Sequence, residues 1–215
     1  MNNIDWRLCL VADVEAAGER DLCPIVAEAL AGGITLLQLR AKKLDTRPFL
    51  DLALDLLPLV RSAGVPLIIN DRVDIALASG ADGVHLGQND MPPAAARKLL
   101  GNNKIIGISA NTVEEAAAAE AGGADYIGLS PVFGTPSKTD TDPPMGLSGI
   151  RRLTDAVTIP GIAIGGINRD NAADVFSAGA AGIAVISAIM GAEDIRAAAA
   201  ELRQIAESDR APFSL

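Results

Sequence analysis

Short apolar runs recur along the chain, and amphipathic stretches separate them. Four runs share one design: LAGGITLLQLR (30–40), ASGADGVHLGQ (78–88), AGGADYIGLSP (121–131) and SAGAAGIAVIS (177–187) each join an Ala/Gly helix exit to β-branched or apolar residues. Four more lie between them: RLCLVAD (7–13), GVPLIIN (64–70), KIIGIS (104–109) and IPGIAIGG (159–166). Most are apolar at every position, the pattern of a strand buried on both faces of a parallel sheet. The intervening stretches, such as CPIVAEALA, RPFLDLALDLLPLVRSA, PPAAARKLL, TVEEAAAAEAG, NRDNAADVFSAG and AEDIRAAAAELRQIAES, carry helical periodicity.

Eight strand–helix units within 215 residues predict an α/β protein built as a single compact TIM (β/α)8 barrel. A doubly wound open sheet is the competing arrangement. No linker or composition break divides the units. In either architecture the loops that follow the strands share one face.

Composition narrows the partners. Lys and Arg number 18 against 27 Asp and Glu, a net charge of −9 with no basic block, which disfavours nucleic acid and anionic membranes. The first residues, MNNIDWR, lack a signal-peptide pattern, and the longest mostly apolar run, GAAGIAVISAIMGA, falls short of the ~18 residues of a membrane span. These features predict a cytoplasmic protein, and the sequence is compatible with a homo-oligomer. Cys9 and Cys23 are spaced too far apart for a CxxC site and are expected to be buried free thiols.

An anionic ligand must then be held by local charge. The second strand runs into Gln38, Leu39, Arg40, Ala41, Lys42 and Lys43, which brings an amide, a guanidinium and an ammonium to the rim. Such a cluster suits a diphosphate, although any one basic run is more often a solvated patch. Asn70-Asp71 and Asn89-Asp90 follow neighbouring strands. Two rim carboxylates can share Mg²⁺ with substrate phosphates. Helix N-capping competes as an explanation of each. Were they ligands, both carboxylates should face solvent in the empty protein.

After the seventh strand Gly165-Gly166 can bring bare backbone N–H groups to a phosphate, and Ile186-Ser187 after the eighth would complete the site. A tight turn is the plainer reading of the two glycines. Residues 131–146, PVFGTPSKTDTDPPMG, form a long connection after the sixth strand, either a disordered insertion or a mobile lid. His85, the sole histidine, is read as a packed or hydrogen-bonded strand residue rather than a catalyst.

Taken together and in order, QLRAK, IINDRVDIALASGADGVHLGQND, GIS followed by TVEEA, ADYIGLSPVFGTPSK, AIGGIN and AVISAI resemble the thiamine phosphate synthase family, from about residue 7 to residue 190. The resemblance implies a TIM barrel that joins 4-amino-2-methyl-5-(diphosphomethyl)pyrimidine to 4-methyl-5-(2-phosphoethyl)thiazole, giving thiamine phosphate and diphosphate by a dissociative, carbocation-like substitution. It implies that the pyrimidine diphosphate lies against Gln38, Leu39, Arg40, Ala41, Lys42, Asn70, Ser109 and Lys138, with Arg40, Lys42, Ser109 and Lys138 in catalytic roles. It assigns Mg²⁺ to Asp71 and Asp90. It assigns the thiazole phosphate to Thr135, Pro136, Ser137, Gly165, Gly166, Ile186 and Ser187. Ala41 stands where the family often has an acidic residue, Ser137 replaces a common Thr and Ser130 a common Gly, and Asn111 stands where many relatives have His. Two other functions share this fold: a thiazole tautomerase, and a non-catalytic barrel that binds thiamine precursors. Neither explains two rim carboxylates beside a basic cluster.

Overall fold

The computed structural model describes residues 4–134 and 143–208. Its eight strands are β1 (Leu8–Asp13), β2 (Leu36–Arg40), β3 (Leu67–Asn70), β4 (Gly83–Leu86), β5 (Ile105–Ala110), β6 (Tyr126–Leu129), β7 (Gly161–Ile164) and β8 (Gly182–Val185). Every neighbouring pair is parallel, and β8 returns to pair with β1, so the sheet closes. Closure decides between the two predicted architectures. The protein is a single-domain (β/α)8 barrel, and every predicted apolar run holds one strand.

Ten helices follow the same order among the described residues. Those before β5 are α1 (Val14–Ala17), α2 (Leu22–Ala31), α3 (Thr46–Ala63), α4 (Val73–Ser79) and α5 (Pro93–Leu100). The later ones are α6 (Val113–Ala121), α7 (Gly146–Thr154), α8 (Ala172–Ser177), α9 (Ser187–Met190) and α10 (Ile195–Ser208). Their limits follow local chemistry. In α6, Thr112 accepts from the Glu115 N–H while the Glu115 carboxylate accepts from the Thr112 N–H, a reciprocal capping box. The helix α3 runs through Pro58 and stops at Gly64, whose φ of 69° is left-handed.

The strands are almost wholly buried, and their outer faces receive helix residues such as Val26, Phe49, Leu56, Val60 and Leu202. At ~25 cal/mol per Å², this apolar surface is the main favourable contribution to folding. No helix among the described residues is long and apolar enough to cross a membrane. Cys9 and Cys23 are both free. Cys9 is buried as expected, and burial pushes its thiol up to about 12. Cys23 is only half-buried, because it lies in the first turn of α2 and shows one side to solvent.

Candidate active site

All eight strands point their C-terminal ends at one mouth. At the exit of β2, Gln38 and Leu39 are buried, Ala41 is buried just beyond the strand, and Lys42 is exposed. The Arg40 guanidinium is bonded to Asp13 at the end of the adjacent β1 and lies 3.5 Å from Glu15. Glu15 also accepts from the Lys43 N–H at 3.1 Å. The acidic ends of β1 and α1 therefore hold the basic segment in place. Sequence reasoning missed Asp13 and Glu15, although Asp13 ends VAD at a strand exit, the same signal that singled out Asp71.

Asp71 follows β3 directly. Its φ of 63° makes it the one left-handed residue other than glycine among the described residues. Its N–H donates to the His85 carbonyl at 2.8 Å, and its Oδ2 lies 3.6 Å from Lys42 Nζ. Burial and then the neighbouring Asp90 carboxylate push the Asp71 carboxyl above its ordinary value, against the pull of Lys42 and Arg40. Asp90 is fixed by its own loop, accepting from the Gly87 N–H at 2.7 Å. Neither carboxylate caps a helix: Arg72 and Pro92 occupy the cap positions of α4 and α5, and neither helix has a side-chain cap bond. The expectation that both carboxylates face solvent needs correction. Both are part-buried, because the β3 and β4 exits close around them.

Two carboxylates brought together beside cations form a donor set that a divalent ion would relieve. Among the described residues no group of three or more His, Cys, Asp or Glu is assembled for a metal. The Asp71–Asp90 pair is a donor set that Mg²⁺ could use, since that ion takes one or two carboxylates and completes its shell with phosphate oxygens and water. A small cavity lined by Ala41, Lys42, Leu44, Phe49, Asn70, Asp71 and Arg72 opens next to it.

Asn70 is buried at the end of β3, and Ser109 is half-buried near the end of β5. Ser109 Oγ lies 2.9 Å from His85 Nε2, and the Ser109 carbonyl accepts from Gln88 Nε2 at 2.6 Å. His85 is thus a buried, hydrogen-bonded residue, as read from sequence. Asn111 donates from Nδ2 to the Ser130 carbonyl at 3.0 Å and joins the β5 and β6 exits.

On the far side of the mouth, Gly165 and Gly166 have φ values of 108° and 64°. Their carbonyls are turned into the protein: Gly165 accepts from the Phe133 N–H at 3.0 Å and Gly166 from Asn171 Nδ2 at 3.0 Å. A Cβ on Gly166 would stand 2.7 Å from the Gly134 carbonyl oxygen, so the turn needs glycine for space as well as for φ. Residues 131–134 and 143–146 attach here, with Val132 N–H on the Ile164 carbonyl and Gly146 N–H on the Val132 carbonyl. Ile186 is buried and Ser187, first residue of α9, is exposed. The candidates Thr135, Pro136, Ser137 and Lys138 lie outside the described residues. The other candidates share the mouth in two groups, with Gln38 to Lys42, Asn70, Asp71, Asp90 and Ser109 on the β2–β5 side and Gly165, Gly166, Ile186 and Ser187 on the β7–β8 side.

A closed parallel barrel with charged groups around the C-terminal mouth belongs to the broad class of (β/α)8 enzymes. The family model described as thiamine monophosphate synthase matches residues 8–189, and the chain belongs to that family. It is 51% identical over 202 residues to a thiamine-phosphate synthase of Chloroflexus aurantiacus, covering 94% of this chain and 93% of that one. A thiamine-phosphate synthase of Clostridium novyi is 49% identical over 203 residues, covering 94% of this chain and all, 100%, of its own. Among solved structures, a thiamine phosphate pyrophosphorylase from Pyrococcus furiosus superposes with a TM-score of 0.87 at 44% identity, covering 96% of this chain and 98% of that one.

Proposed function

We propose that the protein is a thiamine phosphate synthase, a transferase that joins 4-amino-2-methyl-5-(diphosphomethyl)pyrimidine to 4-methyl-5-(2-phosphoethyl)thiazole and releases diphosphate. Identity near 50% to thiamine-phosphate synthases over nearly the whole chain supports the activity. The site observation that carries the reading is the Asp71–Asp90 pair facing Lys42 and Arg40, since a diphosphate leaving group needs both cations and metal ligands.

In this reading the pyrimidine diphosphate lies on the β2–β5 side. Gln38, Asn70 and Ser109 orient the ring and its substituents, while Arg40, Lys42 and Lys138 face the diphosphate. Asp71 and Asp90 hold Mg²⁺, which when bound neutralises charge on the departing group. The thiazole phosphate rests on Gly166 and Gly165, on Ile186-Ser187 and on Thr135 to Ser137, with residues 131–146 serving as a lid. The C–O bond to diphosphate breaks first, and the thiazole nitrogen then attacks the pyrimidine methylene carbon with its free lone pair. No proton leaves that carbon, so no general base is required there. What the protein supplies is preorganised positive charge at the leaving group and alignment of two rings. The overall charge of −9 is compatible with this, because the field at the mouth is local.

A thiazole tautomerase on the same fold handles no diphosphate and would leave the carboxylate pair without a task. The deciding assay incubates both substrates with Mg²⁺ and measures thiamine phosphate and diphosphate. Equal release of the two, dependent on both substrates, is expected. Absence of product with a folded protein would overturn the reading.

A further inference from the structure

Beneath the mouth, a column of polar and aromatic groups crosses the barrel interior. Trp6 precedes β1 at the floor, and its ring lies 5.1 Å from that of Tyr126 at an interplanar angle of 40°. Tyr126 opens β6, and its hydroxyl lies 2.8 Å from His85 Nδ1 on β4. His85 Nε2 then lies 2.9 Å from Ser109 Oγ on β5, one step below the rim. Trp6, Tyr126, His85 and Ser109 thus link floor to mouth.

The backbone is cleared for these rings. A Cβ on Gly107 of β5 would stand 2.0 Å from Tyr126 Cζ, and one on Gly128 of β6 would stand 2.8 Å from His85 Cε1. Two strands give up interior side chains where such barrels otherwise use Val, Ile or Leu. The space goes to a phenol and an imidazole that the diphosphate chemistry does not need.

We infer that Tyr126 is a positioning residue for the reaction: acting through His85, it directs the Ser109 hydroxyl proton toward the pyrimidine substrate. This rests on the assignment of Ser109 to the pyrimidine side proposed above. The direction follows from hydrogen-bond accounting. A fully buried phenol needs an acceptor for its proton; the Gln38 side chain beside it donates to the phenol oxygen, which leaves His85 Nδ1, at hydrogen-bond distance, to take the proton. A neutral imidazole that accepts at Nδ1 carries its proton on Nε2 and donates it to Ser109 Oγ. With its oxygen occupied in this way, Ser109 turns its own proton to the mouth and donates to an acceptor on the pyrimidine. Burial supports the first link by pushing the Tyr126 phenol well above its ordinary value, so the proton stays on the oxygen throughout the working range.

Tyr126→Phe removes only the hydroxyl and keeps the ring over Trp6. The test is a cycle of wild type, Tyr126→Phe, Ser109→Ala and the double variant, reading kcat, KM for the pyrimidine diphosphate, and thermal midpoint. Tyr126→Phe should lower kcat roughly five- to tenfold, the size of one hydrogen bond, with little change in KM. In the Ser109→Ala background the same change should cost clearly less, about twofold, because the route through His85 and Ser109 is gone and only the Tyr126 contact with Gln38 remains. His85→Gln should show the same coupling and serves as the second variant should Tyr126→Phe fold poorly. An equal loss in both backgrounds would mark Tyr126 as structural and overturn the inference, as would unaltered kcat in Tyr126→Phe. Wild-type activity is measured first. Its absence overturns the synthase reading and the positioning role together, whereas an active wild type beside an unaffected Tyr126→Phe overturns the positioning role alone.

Discussion

The Arg40 guanidinium is bonded to the Asp13 carboxylate across the β1–β2 pair, and Asp13 is buried. The same carboxylate accepts from the Ala16 N–H at 2.9 Å and so caps α1. One buried acid therefore starts a helix and aims a cation at the mouth. We expect Asp13→Asn to keep the cap, since Asn serves it equally well, while weakening the hold on Arg40. A hydrogen bond to a charged group is worth about 1.5–3 kcal/mol, so kcat/KM for the pyrimidine diphosphate should fall roughly ten- to a hundredfold. The thiazole phosphate KM should not move. Steady-state kinetics with each substrate varied in turn checks this, and unchanged kcat/KM would show that Arg40 needs no such brace.

The paired carboxylates give a prediction for metal removal. Asp71→Asn or Asp90→Asn should reduce Mg²⁺-dependent turnover by at least about a hundredfold, the usual scale for losing one transition-state charge stabiliser. Each should also lower Mg²⁺ affinity in a titration run with diphosphate present. Because Asp71 lies under strain from burial and from Asp90, Asp71→Asn should leave the metal-free protein no less stable than wild type. A thermal midpoint well below wild type would place Asp71 in a structural role instead.

The barrel was legible because most buried strands are apolar on both faces and four junctions carry an Ala/Gly helix exit, so GVHL and GIAV announced themselves even at four residues. The candidates Gln38, Arg40, Lys42, Asp71 and Asp90 were visible as polar residues at strand ends. What stayed hidden is relational. Asp13 looks in sequence like any acid before a helix, and only the β1–β2 register sets it against Arg40. His85 and Tyr126 are 41 residues apart, and their contact depends on Gly107 and Gly128 clearing space, which no local pattern reports. The helix α7, GLSGIRRLT, went unread because two glycines dilute its propensity; burial of Ile150 and Leu153 holds it.

Gly166 joins the fold to the phosphate reading. Its φ of 64° costs an alanine about 1–2 kcal/mol, and the new Cβ would press on the Gly134 carbonyl and on Phe133 Cβ at 2.9 Å. Gly166→Ala should lower the thermal midpoint by a few degrees and raise KM for the thiazole phosphate at least about tenfold. KM for the pyrimidine diphosphate should stay within about twofold of wild type. Equal increases in both would mean that the mouth deforms as a whole.

Away from the mouth, Asp5 ties the segment before β1 to α10. Its carboxylate accepts from Arg7 Nε and Nη2 at 2.7 and 2.6 Å, and from Arg203 Nη1 at 2.9 Å. Burial alone would raise the Asp5 carboxyl, but these donors outweigh it and hold it at about 2, below the ordinary 3.8. A carboxyl depressed in the folded state adds stability that is complete above pH 3.8 and is lost as pH falls through about 2. With a third of the side chain exposed, solvent screening reduces the contribution to about 1 kcal/mol. Asp5→Asn should therefore lower the thermal midpoint by roughly 2–4 °C at neutral pH for a chain of this size. The gap should hold down to pH 4 and narrow progressively between pH 3.8 and 2. Thermal melts of both proteins across that window check it. A gap of constant size down to the acid end would show that Asp5 acts through shape, since an ionic contribution has to vanish once the carboxyl is protonated in the folded and unfolded states alike.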